Sequence, residues 1–263
     1  MNNINNTYFS PLFKKYLKDT EQVKNCGYGQ LPFIPYTFPL YETSQFKAFY
    51  IGRDTSYWCE YNDKYIADPE LYLKDSKEFV TIDQFQKDWN KTGSFWGMVG
   101  KLHLQLLTGK YHKNLDDLTE KDWELLNSVG YGNLYSIELP ETLKKKMTQE
   151  NHTELDDIKD WEGYNKLRLA AKSFENLKTI FEAYGEPDVI FVLSWVDKAD
   201  FFDGVDYEWK AEGCEENFRS VFLRKTHKTK VIWTSHPTRY SFLQTNPQEM
   251  CQYLCDTFNS LNA

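Results

Sequence analysis

Two short segments carry the side chains that could do chemistry in this sequence. The first is Gly52-Arg53-Asp54 and the second is Ser235-His236-Pro237-Thr238-Arg239. The carboxylate of Asp54 could orient a water molecule or stabilise a developing positive charge, and the imidazole of His236 could donate a hydrogen bond to an oxygen that becomes negative. Both residues also have ordinary interpretations, because an aspartate can shape an Asx-turn and a lone histidine is often structural.

The segment that contains the histidine is also suited to holding phosphate groups. Hydroxyls and backbone amides at Ser235, Thr238 and Ser241 are typical phosphate ligands, and Arg239 adds a positive charge. Pro237 would make the loop rigid. We therefore expect these five residues to form a phosphate-binding loop.

Both segments follow predicted β-strands. Residues 47–51 are apolar and β-prone and end at Gly52, and the strand Lys230–Thr234 directly precedes Ser235. A third run, Val189–Leu193, is continuously apolar, which is typical of a strand buried on both faces of a parallel sheet. Ligands bind at the carboxyl ends of strands in such sheets, so we expect the two segments to share one edge.

Helical patterns separate these strands. Apolar periodicity predicts helices over 81–107, 164–184 and 247–258, and residues 131–137 are a further strand candidate. Strands joined through helices need crossover connections. The sequence thus predicts an α/β fold, a three-layer α/β/α sandwich with a mainly parallel central sheet.

We predict a single domain over residues 1–263. Residues 1–45 would form an irregular or helical leader packed on it, because prolines 32, 35 and 39 preclude a regular helix in its second half. Neither internal repeats nor an obvious linker divide the chain.

The two chemical segments resemble the signature motifs of uracil-DNA glycosylases, a Gly-x-Asp-Pro-Tyr turn and a His-Pro-Ser-Pro-x-Ser loop. Their order and wide separation also agree with that superfamily, and the similarity covers roughly residues 46–243. The resemblance implies a DNA glycosylase that hydrolyses the N-glycosidic bond of a flipped pyrimidine and leaves an abasic site. It implies that Asp54 and His236 are catalytic, that DNA is the partner, and that neither a cofactor nor a metal is needed.

The resemblance also implies substrate-binding residues. The family reads the base edge with an asparagine at the end of a mid-chain strand, and Asn133 is the candidate here. Gly52 and Arg53 belong to the first turn, and Trp58 or Tyr57 would be the aromatic floor under the flipped base.

The sequence departs from the family pattern after the aspartate, where Thr55-Ser56 replaces Pro-Tyr. The family's tyrosine excludes bulky groups at the 5-position of the base, so Ser56 would open the pocket unless Tyr57 shifts by one residue to close it. The expected substrate is therefore uracil or a 5-modified cytosine or uracil. One alternative is a glycosylase that acts on hypermodified phage bases in defence. Arg53 and Arg239, which replace a glutamine and a proline, add charge near the site.

Two other classes of function compete with a glycosylase. A catalytically inactive relative would only bind DNA or a protein, although the presence of both Asp54 and His236 counts against it. A nucleotide or nucleoside hydrolase on a similar sheet would need a Gly-rich phosphate loop or clustered metal-binding carboxylates. The aspartates at 197, 200, 203 and 206 are better interpreted as a solvated acidic turn than as an ion site.

Composition limits the location and the partners. The net charge of −8 excludes a broadly basic surface, so DNA binding would need local patches, of which residues 224–230 are the best. No apolar run is long enough to span a membrane and the first residues do not form a signal peptide, so we expect a cytoplasmic monomer. Its five cysteines suit a reducing compartment, and burial in a helix explains Cys251 and Cys255 better than a metal site does.

Overall fold

The computed structural model of the chain describes residues 2–23, 30–53, 62–137, 161–194, 198–210, 220–224, 229–238 and 246–261. The helices within these ranges are α1 Asn6–Asp19, α2 Asp63–Ala67, α3 Pro69–Phe79, α4 Asp83–Asp88, α5 Phe95–Thr108, α6 Glu120–Leu126, α7 Trp161–Ala171, α8 Leu177–Tyr184 and α9 Pro247–Ser260. The strands are β1 Tyr36–Thr37, β2 Ala48–Gly52, β3 Val129–Asn133, β4 Val189–Leu193, β5 Tyr207–Lys210, β6 Ser220–Arg224 and β7 Lys230–Thr234.

These strands form one mixed sheet in the order β1-β3-β2-β4-β7-β6-β5. The four central strands β3, β2, β4 and β7 are parallel, and antiparallel strands flank them on both sides. The α/β fold and the parallel centre of the sheet are thus confirmed. Because the central strands run in one direction, their carboxyl ends lie along one edge.

Helices cover both faces of the sheet. On one face, Tyr50 of β2 packs against His103 of α5, with ring centroids 5.8 Å apart. On the other face, Phe49 packs against Tyr184 of α8 at 5.9 Å. Successive residues of a strand point to opposite faces, so α5 and α8 lie in different layers. Helix α1 joins the second layer through Phe9, whose ring lies 6.0 Å from that of Tyr184.

Two predicted helices are each divided in the structure. The pattern over 81–107 forms α4 and α5, because Gly93 adopts a φ of 73° and the side chain of Ser94 accepts the Gly97 N–H to begin a new helix. The pattern over 164–184 forms α7 and α8, because Asn176 caps α8 by accepting the Thr179 N–H. Apolar spacing continues through both breaks, so periodicity alone misses them.

The strand predicted over 131–137 is also shifted in the structure, where β3 ends at Asn133. Three residues later the chain has left the sheet: the backbone N–H of Ser136 donates to the carboxylate of Glu175 at 2.7 Å, not to a neighbouring strand. A side chain from the segment between α7 and α8 therefore takes the place of a strand partner.

The leader is part of the packed structure. Helix α1 buries Phe9, Phe13 and Tyr16, and β1 pairs antiparallel with β3. Asn3 extends this pairing through an antiparallel bridge to Thr37.

The α5 face of the sheet contains a buried histidine. His103 is fully buried, and its Nδ1 lies 3.1 Å from the Tyr50 hydroxyl while its Nε2 lies 2.9 Å from the Ser128 hydroxyl. Burial lowers the pKa of His103 to about 4, because the charged imidazolium would be desolvated. This residue is structural and lies outside the candidate site.

Helix α9 packs beside α5 and carries the two cysteines. Cys251 and Cys255 are both buried, and the Cys251 Sγ lies 3.7 Å from the Met98 Sδ. Desolvation raises the pKa of both thiols, so they are apolar packing groups, as predicted. In the part of the chain that the structure describes, no helix is both long and apolar enough to cross a membrane.

Candidate functional site

The first half of the candidate site lies where β2 and β3 end. The parallel register pairs Gly52 with Asn133, so the two residues stand side by side at the carboxyl edge of the sheet. A Cβ atom on Gly52 would lie 2.7 Å from Asn133 Oδ1, 3.3 Å from the Tyr131 hydroxyl and 3.4 Å from Phe95 Cε2. A glycine is therefore needed here, because any side chain would displace the groups that converge on this point.

Asn133 is held in a defined orientation. Its side chain is only 2% exposed, and its Oδ1 accepts a hydrogen bond from the Tyr131 hydroxyl at 2.8 Å. Because the oxygen faces Tyr131, the amide NH₂ group lies at the opposite end of the planar amide. The residue thus combines a fixed acceptor and a fixed donor at a strand end.

The second half of the site follows β7. His236 is the second residue after this strand, and its Nδ1 lies 3.2 Å from the backbone N–H of Thr238 and 2.9 Å from the Thr238 hydroxyl. A backbone N–H can only donate, so Nδ1 must be the acceptor. The proton of the neutral ring is therefore on Nε2, which becomes a hydrogen-bond donor.

Phe95 connects the two halves. Its ring lies 6.3 Å from that of His236 at an interplanar angle of 26°, and 5.3 Å from that of Tyr131. The same ring approaches the position of a Gly52 side chain, as described above. An aromatic surface thus lies between the end of β2 and the histidine.

Sequence reasoning missed Phe95, because it was counted among the apolar residues of a long helix. The local signal was present: Ser94 is a helix N-cap, and Phe95 is the first residue after it. A ring at the first position of a helix stands at the helix end and not within its buried stripe. That the amino end of α5 lies against the carboxyl edge of the sheet is visible only in the folded structure.

The loop before α5 and the loop after β7 also contact each other. Gly93 has a φ of 73°, and a Cβ atom there would lie 3.0 Å from Thr238 Cα and 3.3 Å from the Pro237 carbonyl oxygen. Next to this contact is a small pocket of about 100 Å³ that Lys91, Lys101, Pro237 and other residues line. Lys91 pairs with Asp88 at 2.8 Å, so the positive charge at this pocket comes from Lys101 and from the amino end of α5.

A buried ion pair holds the loop that follows Asn133. The ammonium group of Lys198, which is 8% exposed, donates to the Leu134 carbonyl oxygen and to the carboxylate of Glu175. The other oxygen of Glu175 accepts the Ser136 N–H at 2.7 Å. The pair therefore fixes both sides of this loop, and nothing in the sequence indicated it.

The predicted site residues divide into two groups. The structure describes Gly52, Arg53, Asn133, Ser235, His236, Pro237 and Thr238. It brings Gly52, Asn133 and His236 together around Phe95, with Ser235 and Pro237 buried and Thr238 exposed. The predicted residues Asp54, Ser56, Tyr57, Trp58, Arg239 and Ser241 lie outside the described ranges.

Arg53 shows where the chain leaves β2. Its carbonyl oxygen accepts the N–H of Tyr135 at 2.9 Å, next to the bond from Leu134 N–H to the Gly52 carbonyl oxygen. The backbone up to Arg53 therefore stays at the carboxyl edge, and Asp54 is the next residue along the chain.

Comparisons with known proteins do not assign the chain to a family. No protein-family model matches the chain, and a search of the curated proteins finds no match to it.

Proposed function

We propose that this chain is a DNA glycosylase, a divergent member of the uracil-DNA glycosylase superfamily. It would hydrolyse the N-glycosidic bond of a flipped pyrimidine, either uracil or a 5-modified cytosine or uracil, and leave an abasic site. The observation that carries the proposal is the meeting of Gly52, Asn133 and His236 around the ring of Phe95 at one edge of a parallel sheet.

Phe95 and Gly52 supply what a flipped base needs. A base taken out of the stack loses its neighbours, and an aromatic side chain replaces them by stacking. Phe95 is half-buried at the end of α5, and the missing side chain at Gly52 leaves room beside its ring. In this proposal Phe95 forms the floor of the base pocket, the role for which Trp58 and Tyr57 are the sequence-based candidates.

Asn133 supplies recognition of the base edge. Its NH₂ group suits a carbonyl oxygen such as O4 of uracil, whereas the exocyclic amine of cytosine is itself a donor at that position. In the structure the Tyr131 hydroxyl donates to the amide oxygen, which places the NH₂ group at the other end of the amide. The orientation therefore favours a 4-oxo pyrimidine.

His236 supplies stabilisation of the leaving group. When the glycosidic bond breaks, the base departs with negative charge spread over its ring nitrogen and its carbonyl oxygens, and a donor placed at such an oxygen lowers the barrier. The tautomer that Thr238 imposes makes Nε2 such a donor while the ring is neutral. A neutral donor stabilises the anion without giving up its proton.

Asp54 would complete the reaction. It directly follows Arg53 in the sequence, and β2, which ends at Gly52, pairs with the strand that carries Asn133. Its carboxylate would orient the attacking water and stabilise the cation-like sugar. The pocket between Lys91, Lys101 and Pro237 would hold a backbone phosphate near the flipped nucleotide.

The test is release of a base from DNA. The purified chain is incubated with uracil-containing DNA and, separately, with phage DNA that carries 5-hydroxymethylated or glucosylated cytosine, and both abasic sites and free bases are quantified. Asp54→Ala is the catalytic variant. Asp63→Ala, at the first residue of α2, is the matched control for loss of one carboxylate.

Each outcome has a definite meaning. Release of uracil that requires Asp54 supports a repair enzyme, and release from modified phage DNA alone supports a defence enzyme with an open pocket at Ser56. If neither DNA yields abasic sites above the Asp54→Ala level, the chain is not a glycosylase for these bases, and DNA binding without chemistry becomes the better description.

A further inference from the structure

A second cavity lies next to the candidate site, beyond the loop that follows β3. It has a volume of about 440 Å³ and is open to solvent, and its lining includes Tyr135 from that loop, Arg168 from α7, Lys172 and Lys198. Cavities of a few hundred Å³ are in the range that holds small ligands. The floor is rigid, because Lys198 is bonded to both the Leu134 carbonyl oxygen and Glu175.

Among the described residues, the charges of this cavity leave one cation without a counter-ion. Lys198 pairs with the buried carboxylate of Glu175, and the ammonium group of Lys172 lies 3.0 Å from the carboxylate of Asp200. None of the carboxylates in the described part of the chain forms an ion pair with Arg168. The cavity therefore has an excess positive charge that belongs to this arginine.

Arg168 is also held in place for a ligand. Its guanidinium carbon lies 4.2 Å from the centre of the Tyr135 ring, which limits the movement of the side chain. Its Nε is buried and has no hydrogen-bond partner among the described residues. A buried N–H without an acceptor is unfavourable, so an incoming oxygen atom would satisfy it.

We propose that this cavity binds a phosphate group of the nucleotide chain whose base enters the candidate site. The planar guanidinium suits the oxygens of a phosphate, and an unpaired arginine over an aromatic ring favours an anion with attached sugar or base. Tyr135 is two residues from Asn133, a distance of at most about 7 Å along the chain. The bound phosphate is then within one or two nucleotides of the flipped base. The identity of this ligand rests on the proposed function.

The first experiment measures binding of a labelled single-stranded oligonucleotide by fluorescence anisotropy at several salt concentrations. Arg168→Gln should weaken binding about tenfold and reduce the slope of log K against log salt by about 0.7, the value for one lost phosphate contact. Lys166→Gln is the matched control on the same helix. Its ammonium group is 52% exposed and pairs with Glu162 outside the cavity, so the slope should not change.

The second experiment locates the phosphate. One phosphate of the oligonucleotide at a time is replaced by a neutral methylphosphonate. The wild-type chain should lose affinity when one particular phosphate is replaced. Replacement of that same phosphate should not change the affinity of Arg168→Gln. Lys172→Gln, at a side chain that is 54% exposed, gives a second cavity variant that tolerates substitution. It should also reduce the salt slope, because it removes a positive charge beside the same ligand.

A third arm tests a free nucleotide as the source of the phosphate. Binding of a 5′-mononucleotide is measured calorimetrically to the wild-type chain and to Arg168→Gln. If Arg168→Gln loses mononucleotide binding but binds the oligonucleotide as the wild-type chain does, the cavity is a site for free nucleotides. This result supports a phosphate site and contradicts the contact with DNA. If neither ligand distinguishes Arg168→Gln from Lys166→Gln, the proposal is overturned.

These outcomes are separate from those of the base-release assay. A chain that binds DNA through Arg168 but releases no base contradicts the glycosylase proposal and leaves the phosphate site intact. If the wild-type chain releases base, and Arg168→Gln changes neither the rate of release nor the affinity for DNA, the glycosylase proposal is supported and the phosphate site is contradicted.

Discussion

Gly52→Ala tests whether the end of β2 is part of the site. The added Cβ would lie 2.7 Å from Asn133 Oδ1, about 0.7 Å closer than ordinary contact at 3.4 Å. Asn133 must move by about that distance, because the alternative is to separate two strands that are paired along their length. Such a displacement also disturbs its hydrogen bond with Tyr131.

The expected effects on stability and on catalysis differ in size. Overpacking costs about 1–3 kcal/mol, and the smaller freedom of alanine in the unfolded chain offsets roughly 0.4–1 kcal/mol. The free energy of unfolding should therefore fall by only about 1–2 kcal/mol. A misplacement near 1 Å at a reacting site can cost about a hundredfold in rate, so base release should fall ten- to a hundredfold, by order of magnitude.

Gly132→Ala is the control for this substitution. It lies one residue before Asn133 on β3, but its Cβ would point to the opposite face and lie 3.0 Å from Ile51 Cδ1, which a flexible side chain can accommodate. The assays are urea unfolding and single-turnover base release. A folded Gly52→Ala protein with the wild-type rate would refute the assignment of this strand end to the site. Equal rate losses in the two variants would refute the specific contact with Asn133.

Three further predictions concern two buried groups and one residue of the candidate site. The pKa of His103 falls to about 4 from 6.5, so the unfolded chain alone gains a proton between these values. Stability should then fall by about 3 kcal/mol, at 1.36 kcal/mol per unit, as the pH drops from about 6.5 to about 4, and urea unfolding of His103→Gln should lack this dependence. Glu175→Gln leaves the buried Lys198 without its carboxylate and should cost about 3–5 kcal/mol by the same assay. His236→Ala removes one donor to the leaving group and should slow base release by about 10²–10³-fold with little change in DNA affinity.

Each of these has a contradicting result. A variant without His103 that keeps the full pH dependence would mean that another group titrates in this range. A Glu175→Gln protein as stable as the parent would mean that the ion pair is not desolvated. A ¹⁵N spectrum of neutral His236 with the proton on Nδ1 would contradict the tautomer derived from Thr238.

The central strands could be predicted from the sequence, but the edge strands could not. β4 and β7 have the predicted bounds, and β2 differs by one residue at each end, because strands buried on both faces are marked by local composition. The two-residue strand β1 lies in a proline-rich stretch and exists because β3 offers it a partner. Strand β5 pairs with β6, and β6 pairs with β7; this antiparallel pairing has no local signal.

The candidate site was predictable to a similar extent. Gly52, Asn133 and His236 could be identified because they end strands or belong to motifs. The contributions of Phe95 and of the Glu175–Lys198 pair depend on contacts between distant segments. Residue type marks the first group, whereas tertiary packing creates the second.

The pairing of the leader with β3 has a consequence for handling the protein. β1 and the bridge from Asn3 to Thr37 occupy the hydrogen-bonding edge of the sheet on that side. Removal of residues 2–45 would uncover the amides and carbonyl groups of β3, a strand whose residues are all buried. An uncovered apolar edge recruits strands from other molecules. A chain shortened in this way should therefore aggregate, even though the residues of the candidate site begin only at Gly52.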